Sequence, residues 1–294
     1  MESLFYQSIR RRQAANGLAI IIANEGSCKR EHKRLEGAIK DLYAMKETFE
    51  TLRFATLPIF NASKEQILSA VQAAANYKAY PPSYKRLAFV FSGHGDENYI
   101  YTHDGWIKLL NQVVELLQPT EAPHLGNIPK LFFIDACRGS ETDKGLIVPR
   151  GGTVRMPSFG NYILAHSTMP RMVSYEATDE GGLWMQTVSR QLRTKRKSVL
   201  DVLTEVNREL LEELRRRGCE TLQLPVLEST LLETVSLLEE AEQIGKSWSS
   251  NRHMLYNVSV CVCVCVCMVC VCVVCVCVVC VWCVCVCVRV CEGV

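Results

Sequence analysis

The sequence predicts an α/β fold built on a largely parallel sheet. Several short, continuously apolar segments end in polar residues, as strands buried on both faces do. Segments with apolar residues at helical spacing follow most of them, and this alternation of strand and helix is the pattern of α/β domains. Reactive side chains stand directly after two of the apolar segments, at the strand ends where parallel sheets gather their chemistry.

The alternation begins with GLAIIIANE, Gly17 to Glu25, which predicts a buried strand. A helix is predicted next, because one apolar stripe runs through the following segment. The stripe comprises Leu35, Ala38, Ile39, Leu42, Met45, Phe49 and Leu52. TLPIF then predicts a strand, and SKEQILSAVQAAANY predicts a helix opened by a capping box of Ser63 and Gln66.

The second half of the domain continues the pattern around one loop. RLAFVFSGHG and KLFFIDACRG predict strands on either side of WIKLLNQVVELLQ, a predicted helix that ends before Pro119. The stretch SETDKGLIVPRGGTVRMPSFG lacks periodicity and carries Gly, Pro and Ser, which indicates an exposed loop. NYILAHS, GGLWMQTVSRQL, SVLDVLTEVNRELLEELRRRG and TLQLPVLES then predict a strand, two helices and a last strand.

Composition narrows the function classes. The chain has 294 residues and a formal net charge of +2. It therefore lacks the excess of basic residues that would indicate a nucleic-acid partner. The N-terminus lacks the order of basic and then apolar residues that a secretory signal has, so we expect a cytoplasmic, reducing location without disulfides. We expect neither a cofactor nor a metal ion.

Residues 246–294 form a low-complexity tail that we exclude from fold reasoning. Only Cys28, Cys137 and Cys219 of the 16 cysteines lie outside it, and the others alternate largely with valine. A GT dinucleotide repeat encodes Val-Cys alternation, so translated repeat sequence is the favoured interpretation. By length and apolarity, residues 260–288 also suit a membrane anchor or an aggregation-prone strand. A metal site is least favoured, since no turn residues fold cysteine pairs around an ion.

His94 and Cys137 are the candidate catalytic residues. His94, in SGHG, follows one predicted strand, and Cys137, in FIDACRG, follows another. A cysteine attacks as a thiolate and needs a neighbouring base, which is usually histidine. Each residue alone has a simpler interpretation, since a lone cysteine after a strand is usually a small core residue. Their joint placement at two strand ends favours a histidine–cysteine dyad, with Cys28 and Cys219 as ordinary thiols.

DACRG and SGHGDENYIYTHDG resemble the motifs of caspase-type cysteine peptidases, and the resemblance covers roughly residues 17 to 240. GLAIIIANE, GAIKDLYAMKETF and LTEVNREL resemble the same family. The resemblance implies a three-layer sandwich with helices on both faces of a mostly parallel central sheet. It also implies His94 as base, Cys137 as nucleophile, and the backbone amides of Gly95 and Cys137 as the oxyanion hole.

The same resemblance divides the chain into regions. It implies a large-subunit region at residues 17–140, an intersubunit loop at residues 141–160 and a small-subunit region at residues 161–245. Residues 1–16 are a short extension, in which we expect no death-fold prodomain. The resemblance further implies peptide substrates bound as an added strand, and homodimerisation through the last strand, near Gln223 to Leu227.

The substrate pocket departs from the caspase pattern. Caspases cut after Asp, and the resemblance implies two arginines and a glutamine around that carboxylate. Asp135 occupies the glutamine position and Glu176 occupies one arginine position. Arg34 is offset by one from the other arginine position, where Leu35 stands. Two acids without an aligned guanidinium would repel a substrate Asp and attract Arg or Lys. An acid two residues before the nucleophile also resembles the pattern of paracaspases and metacaspases, which cut after basic residues.

Three hypotheses of function follow. The first is a cysteine endopeptidase that cleaves after Arg or Lys, with a role in apoptosis implied by family association alone. Lys144, Arg150 and Arg155 in the loop are then candidate sites of autoprocessing. The second is an Asp-specific caspase in which Arg34 reaches the pocket despite its offset. The third is a catalytically silent decoy that dimerises with an active relative.

Overall fold

The structure is a computed structural model of the 294-residue chain. It describes residues 16–29, 32–76, 85–138, 160–174, 180–219 and 222–243, together with a short strand at 176–177 and short strands in the tail. Two compact units divide the chain, Met1–Ala241 and Glu242–Val294. The first unit ends at Ala241, before the low-complexity tail that the sequence predicts from residue 246.

The first unit is built around one sheet. Its strands are β1 (Gly17–Ala23), β2 (Phe54–Phe60), β3 (Arg86–Ser92), β4 (Gly95–Asp96), β5 (Tyr99–Tyr101), β6 (Trp106–Lys108), β7 (Lys130–Asp135), β8 (Tyr162–His166), β9 (Glu176–Ala177), β10 (Gly181–Gly182) and β11 (Val226–Ser229). The α-helices of the described residues are α1 (Ala38–Thr51), α2 (Lys64–Ala75), α3 (Leu183–Thr194), α4 (Val199–Arg216) and a short helix at 237–243. The main sheet has the order β11-β8-β7-β3-β1-β2. All its strand pairs are parallel except β11 with β8.

Helices cover both faces of this sheet. On one face, α1, α3 and α4 pack over a cluster of apolar side chains that includes Phe49, Phe133 and Trp184. On the other face, α2 packs over a second cluster that includes Phe89 and Phe132. Alternate residues of the same strands supply the two clusters, as strands buried on both faces must. The predicted mostly parallel sheet between two helical layers is confirmed.

The local signals in the sequence set several element boundaries. All seven residues of β1 are buried, as its continuous apolar run predicts. The predicted capping box opens α2, because the side chains of Ser63 and Gln66 each accept from the other's backbone N–H. Ser198 caps α4 through the N–H of Asp201.

The segment WIKLLNQVVELLQ is not the single helix that the sequence predicts. Its first three residues form β6, which pairs with β5 in a small antiparallel sheet. A π-helical turn (Leu110–Val114) and a 3-10 turn (Glu115–Leu117) follow. Ile107 is buried between two exposed neighbours, so the local period is that of a strand. Pairing with β5 therefore overrides the helical pattern of the segment.

The last strand of the main sheet is shorter than TLQLPVLES predicts. β11 begins at Val226, directly after Pro225, which has no N–H to donate to a ladder. Gln223 precedes the strand and is buried, and its Nε2 donates to the carbonyl of Ser167 at 2.7 Å. Within the described residues, β11 has β8 on one side and no strand on the other.

The second unit holds short antiparallel strands in the Val/Cys tail. They are β12 (Cys261–Cys263), β13 (Val266–Cys267), β14 (Cys270–Val271), β15 (Cys275–Val279) and β16 (Cys285–Cys287). β12, β15 and β16 form one sheet, and β13 pairs with β14. In the part of the chain that the structure describes, no helix combines the length and apolarity needed to cross a membrane.

Gly17→Ala should destabilise the protein. A Cβ at Gly17 would lie 2.1 Å from the ring of buried Phe54, so the ring or the strand must shift. Overpacking of this kind costs about 1–3 kcal/mol, which chemical denaturation should measure. Gly26→Ala is the matched control, because its Cβ would meet nothing within 4 Å. An equal loss of stability in both variants would contradict the packing argument.

Candidate active site

Parallel pairing of β3 and β7 brings the candidate catalytic residues to one edge of the sheet. Ser92, the last residue of β3, pairs in register with Asp135, the last residue of β7. The N–H of Gly93 then donates to the carbonyl of Asp135 at 3.0 Å. His94 and Cys137 each stand two residues beyond these strand ends, so they leave the sheet at the same edge.

A cavity of about 70 Å³ lies at this edge and includes both candidates. It is lined by Leu35, Asp41, Ser92, Gly93, His94, Asp135, Ala136, Cys137, Ser174 and Gly182. The described lining residues thus comprise a histidine, a thiol and two carboxyl groups, without a lysine or an arginine.

A backbone carbonyl orients the His94 ring. Nε2 of His94 lies 2.6 Å from the carbonyl oxygen of Lys33. Because a carbonyl oxygen only accepts hydrogen bonds, Nε2 carries the proton and Nδ1 keeps the free electron pair of the neutral ring. Nδ1 is therefore the nitrogen that can take a proton from a nucleophile.

Burial favours the neutral form of His94. Desolvation lowers the pKa of His94, the hydrogen bond to the Lys33 carbonyl raises it, and the neighbouring His32 lowers it again. The net direction is downward. A histidine with a lowered pKa is neutral at pH 7 and so is ready to act as a general base.

Cys137 is held as a thiol in this structure. Burial raises the pKa of Cys137, and the charges of Asp135 and Asp96 act in the same direction. The N–H of Ser174 lies 3.4 Å from Sγ and opposes the shift without reversing it. A preformed thiolate is therefore disfavoured, and the thiol must lose its proton to a base as it reacts.

Gly95 packs against the backbone that carries the nucleophile. A Cβ at Gly95 would lie 2.8 Å from Cβ of Ala136 and 3.0 Å from the carbonyl oxygen of Cys137. Any side chain would push the two segments apart, so this approach requires glycine. The two amides that the resemblance assigns to the oxyanion hole, those of Gly95 and Cys137, thus belong to segments in direct contact.

Asp135 is a buried acid of the cavity with one unpartnered oxygen. Its Oδ1 accepts from Oγ of Ser174 at 2.6 Å. Its Oδ2 is buried and has no hydrogen-bond partner within the described residues. Burial raises the pKa of Asp135, while the hydroxyls of Ser174 and Ser167 and the backbone N–H of Met185 act against the shift. Leaving a buried acceptor unsatisfied is costly, so a bound molecule with a donor would stabilise this site.

Asp41, on α1, is a second buried acid beside Asp135. Its carboxyl group accepts at 2.7–3.0 Å from Ser92, Gly182 and Gln186. A Cβ at Gly182 would lie 2.1 Å from Oδ2 of Asp135 and 3.2 Å from Oδ2 of Asp41, so the two carboxyl groups are near neighbours. Burial raises the pKa of Asp41 to about 7, and the charge of Asp135 adds to the effect.

The other residues assigned to the pocket from the sequence are placed differently. Arg34 is exposed and pairs with Glu25 at 2.9 Å, so it does not line the cavity, whereas Leu35 does. Glu176 lies in β9, and its backbone pairs with Gly182 of β10. The side chain of Glu176 lies outside the described part of the structure. So do the candidate autoprocessing residues Lys144, Arg150 and Arg155.

Comparison with known proteins places the chain in a family. The family model described as the Caspase domain matches residues 16–236. This chain belongs to the caspase family. Caspase-1 of Drosophila melanogaster is 30% identical over 202 residues, which are 65% of this chain and 62% of that protein. Caspase-14 of Homo sapiens is 28% identical over 212 residues, which are 68% of this chain and 86% of that protein.

A solved caspase structure agrees with the fold. The crystal structure of Caspase-1 from Spodoptera frugiperda superposes with a TM-score of 0.67 at 24% identity, covering 77% of this chain and 91% of that chain. The caspase-like fold and family predicted from the sequence are confirmed. The chain spans 62% of the length of the Drosophila relative and 86% of the length of the human one.

Two features of the candidate site were not predicted from the sequence, the carboxyl group of Asp41 and the backbone carbonyl of Lys33. Asp41 stands on the apolar stripe of α1, at helical spacing from Ala38 and Met45. A charged residue on a buried stripe is the signal that identifies it, because acids are rarely buried without a reason. The Lys33 carbonyl has no such signal, since every residue supplies a carbonyl group.

Asp41→Asn should change how the stability of the caspase domain depends on pH. The pKa of Asp41 is raised from 3.8 to about 7, so the folded state holds a proton that the unfolded chain releases. The resulting stabilisation is fully present below the unfolded pKa and is lost as the pH rises through the folded pKa.

Asparagine cannot ionise, so only the wild type loses this stabilisation. The free energy of unfolding of the variant, relative to that of the wild type, should therefore rise by about 1–4 kcal/mol between about pH 4 and pH 8. Urea unfolding at both pH values measures this difference. Glu212→Gln, at an exposed acid of α4, is the matched control and should show no such trend. A stability difference for Asp41→Asn that is constant with pH would contradict the raised pKa.

Proposed function

We propose that this caspase-family chain is a cysteine endopeptidase with Cys137 as nucleophile and His94 as base. The observation that carries the proposal is their placement in one cavity, with the His94 ring fixed by the Lys33 carbonyl so that Nδ1 is free to accept. The neutral histidine and the protonated thiol together suit an attack in which the proton moves as the new bond forms.

The reaction runs through an acyl-enzyme. Nδ1 of His94 takes the thiol proton as Sγ of Cys137 attacks the carbonyl carbon of the scissile bond. The carbonyl oxygen gains the negative charge, which the amides of Gly95 and Cys137 stabilise. The C–N bond breaks and the amine leaves with the proton from His94, so a thioester remains. Water then gives a proton to His94 and attacks the thioester, which releases the acid and restores the thiol.

The same cavity favours substrates with Arg or Lys on the carbonyl side of the cleaved bond. Asp41 and Asp135 supply carboxyl oxygens at the cavity, a bound cation would favour their ionised form, and the described lining includes no cationic side chain of its own. Oδ2 of Asp135 also lacks a donor. A guanidinium or ammonium group brings donors and positive charge together, whereas a substrate Asp would add another carboxylate.

The second acid of this pocket is Asp41 rather than Glu176 alone. Glu176 is a further candidate, since its backbone pairs with Gly182, which touches both buried carboxyl groups. Arg34 has no part in the proposed pocket, because its guanidinium is exposed and engaged by Glu25. The cation on which an Asp-specific pocket depends is therefore missing from the described lining.

Assembly, processing and location complete the proposal. Homodimerisation uses the edge of β11, Val226–Ser229, since the side chain of Gln223 is buried and bonded within its own chain. Cleavage after basic residues of the loop at 141–160 separates the large- and small-subunit regions. The chain acts on protein substrates in the cytoplasm, where free thiols persist, and needs no cofactor.

A positional-scanning peptide library tests the activity and the specificity together. The protein should cleave peptides after Arg or Lys, and Cys137→Ala should abolish cleavage because Sγ is the attacking atom. Cys28→Ala, at an exposed thiol, is the matched control and should retain full activity. Cleavage after Asp would overturn the basic specificity. No Cys137-dependent cleavage, even for a protein shown to be dimeric, would favour the decoy.

Asp135→Gln tests the acidic pocket directly. Removing one partner of a buried ion pair typically costs about 3–5 kcal/mol, so kcat/KM for an Arg peptide should fall about 150- to 5000-fold. Glu212→Gln, at an exposed acid on α4, should leave kcat/KM unchanged. Circular dichroism establishes that the Asp135 variant is folded. An unchanged kcat/KM in the folded variant would show that this carboxyl group does not hold the substrate.

A further inference from the structure

A second imidazole lies against the His94 ring. The ring centroids of His32 and His94 are 4.5 Å apart, and the ring planes are tilted by 35°. His32 belongs to the segment that also supplies the Lys33 carbonyl, so two consecutive residues contact the proposed base. The mechanism above assigns a role to Lys33 and none to His32.

His32 is itself held in place from two sides. Its Nδ1 lies 2.7 Å from Oγ of Ser27. Its ring meets the ring of Tyr101 edge-on, with centroids 5.3 Å apart, and the ammonium of Lys29 lies 4.5 Å from the centroid of Tyr101. The N–H of Tyr101 donates at 2.9 Å to the carbonyl of His94. The His32 ring is therefore held between the rings of His94 and Tyr101 and by its contact with Ser27.

The Ser27 hydroxyl can serve either proton state of His32. It lies within hydrogen-bond distance of the Lys29 carbonyl, at 3.2 Å, as well as of the ring. The hydroxyl donates to the ring when Nδ1 has a free electron pair, and it donates to the carbonyl when Nδ1 carries a proton. The position of His32 is thus maintained whichever state the ring adopts.

We propose that His32 is a positioning residue for the reaction, in that its ring fixes the plane of the His94 imidazole and opposes a positive charge on it. The inference rests on the proposed role of His94 as base. A positive charge on the His32 imidazole at this distance would disfavour a positive charge on His94. His94 then gives up its proton more readily to the leaving amine.

Other charged groups surround the pair. Lys29 is a cation near the pair, and its ammonium lies over the ring of Tyr101, which also contacts His32. Asp96 and Asp135 are acids that influence the neighbouring Cys137. Burial of His94 is the largest cause of its lowered pKa, and His32 contributes in the same direction. Replacement of His32 should therefore raise the pKa of His94 but not restore its ordinary value, because burial still lowers it.

The test compares His32→Phe with the wild type and with His103→Phe. Phenylalanine keeps a stacked ring and removes the ionisable nitrogens. His103 is the matched control because it is exposed and lies outside the contacts of His94. The C2–H signal of His94 in NMR titrations, assigned with His94→Gln, reports its pKa without any substrate. The acid limb of kcat/KM against pH reports the same group during catalysis.

We expect the His94 titration and the acid limb to move together, upward by about 0.5–1 pH unit, in His32→Phe and to stay unchanged in His103→Phe. An unmoved His94 titration would overturn the proposal, whatever the activity. A moved titration in a protein that cleaves no peptide would support the effect of the His32 ring on His94 but defeat the proposed function, and with it the part of His32 in a reaction. If His32→Phe does not fold, His32→Gln is measured in its place, with the same outcomes.

Discussion

The parallel ladder between β3 and β7 is the constraint on which the site depends. Both strands lie in the middle of the sheet and face an apolar cluster on each side, so their register is set by packing as well as by hydrogen bonds. A slip of one residue would exchange the side chains between the two faces. It would also break the pairing of Ser92 with Asp135, which aligns the two strand ends and so brings His94 and Cys137 to one cavity.

The acidic side of the cavity is formed by separate elements that can approach closely because two glycines lie against the carboxyl groups. α1 supplies Asp41, β7 supplies Asp135, and the Gly181–Gly182 turn approaches both carboxyl groups. Gly181 has a φ of +94°, a conformation that glycine adopts without strain. Burying two acids together is unfavourable, and backbone and side-chain donors offset part of the cost. Such arrangements persist where function demands the charge.

Elements with a strong local signal were the predictable part of the molecule. β1, β3 and β7 are continuous apolar runs, and Ser63 with Gln66 marks the start of α2. β6 was missed because a three-residue strand depends on its partner β5 rather than on its own pattern. At the site, the strand-end positions of His94 and Cys137 were predictable from the sequence. The Lys33 carbonyl and the proximity of Asp41 depend on tertiary contacts that no local pattern encodes.

The protonated state of Cys137 has a consequence for its chemical durability. Peroxides and alkylating agents react with thiolates far faster than with thiols, and the thiolate is the first species on the route to sulfenic and sulfinic acids. Burial and the neighbouring carboxylates keep the Cys137 proton in place while no substrate is bound. In the proposed reaction, the environment that keeps the thiol protonated until His94 takes the proton would therefore also protect the sulfur from irreversible oxidation between turnovers.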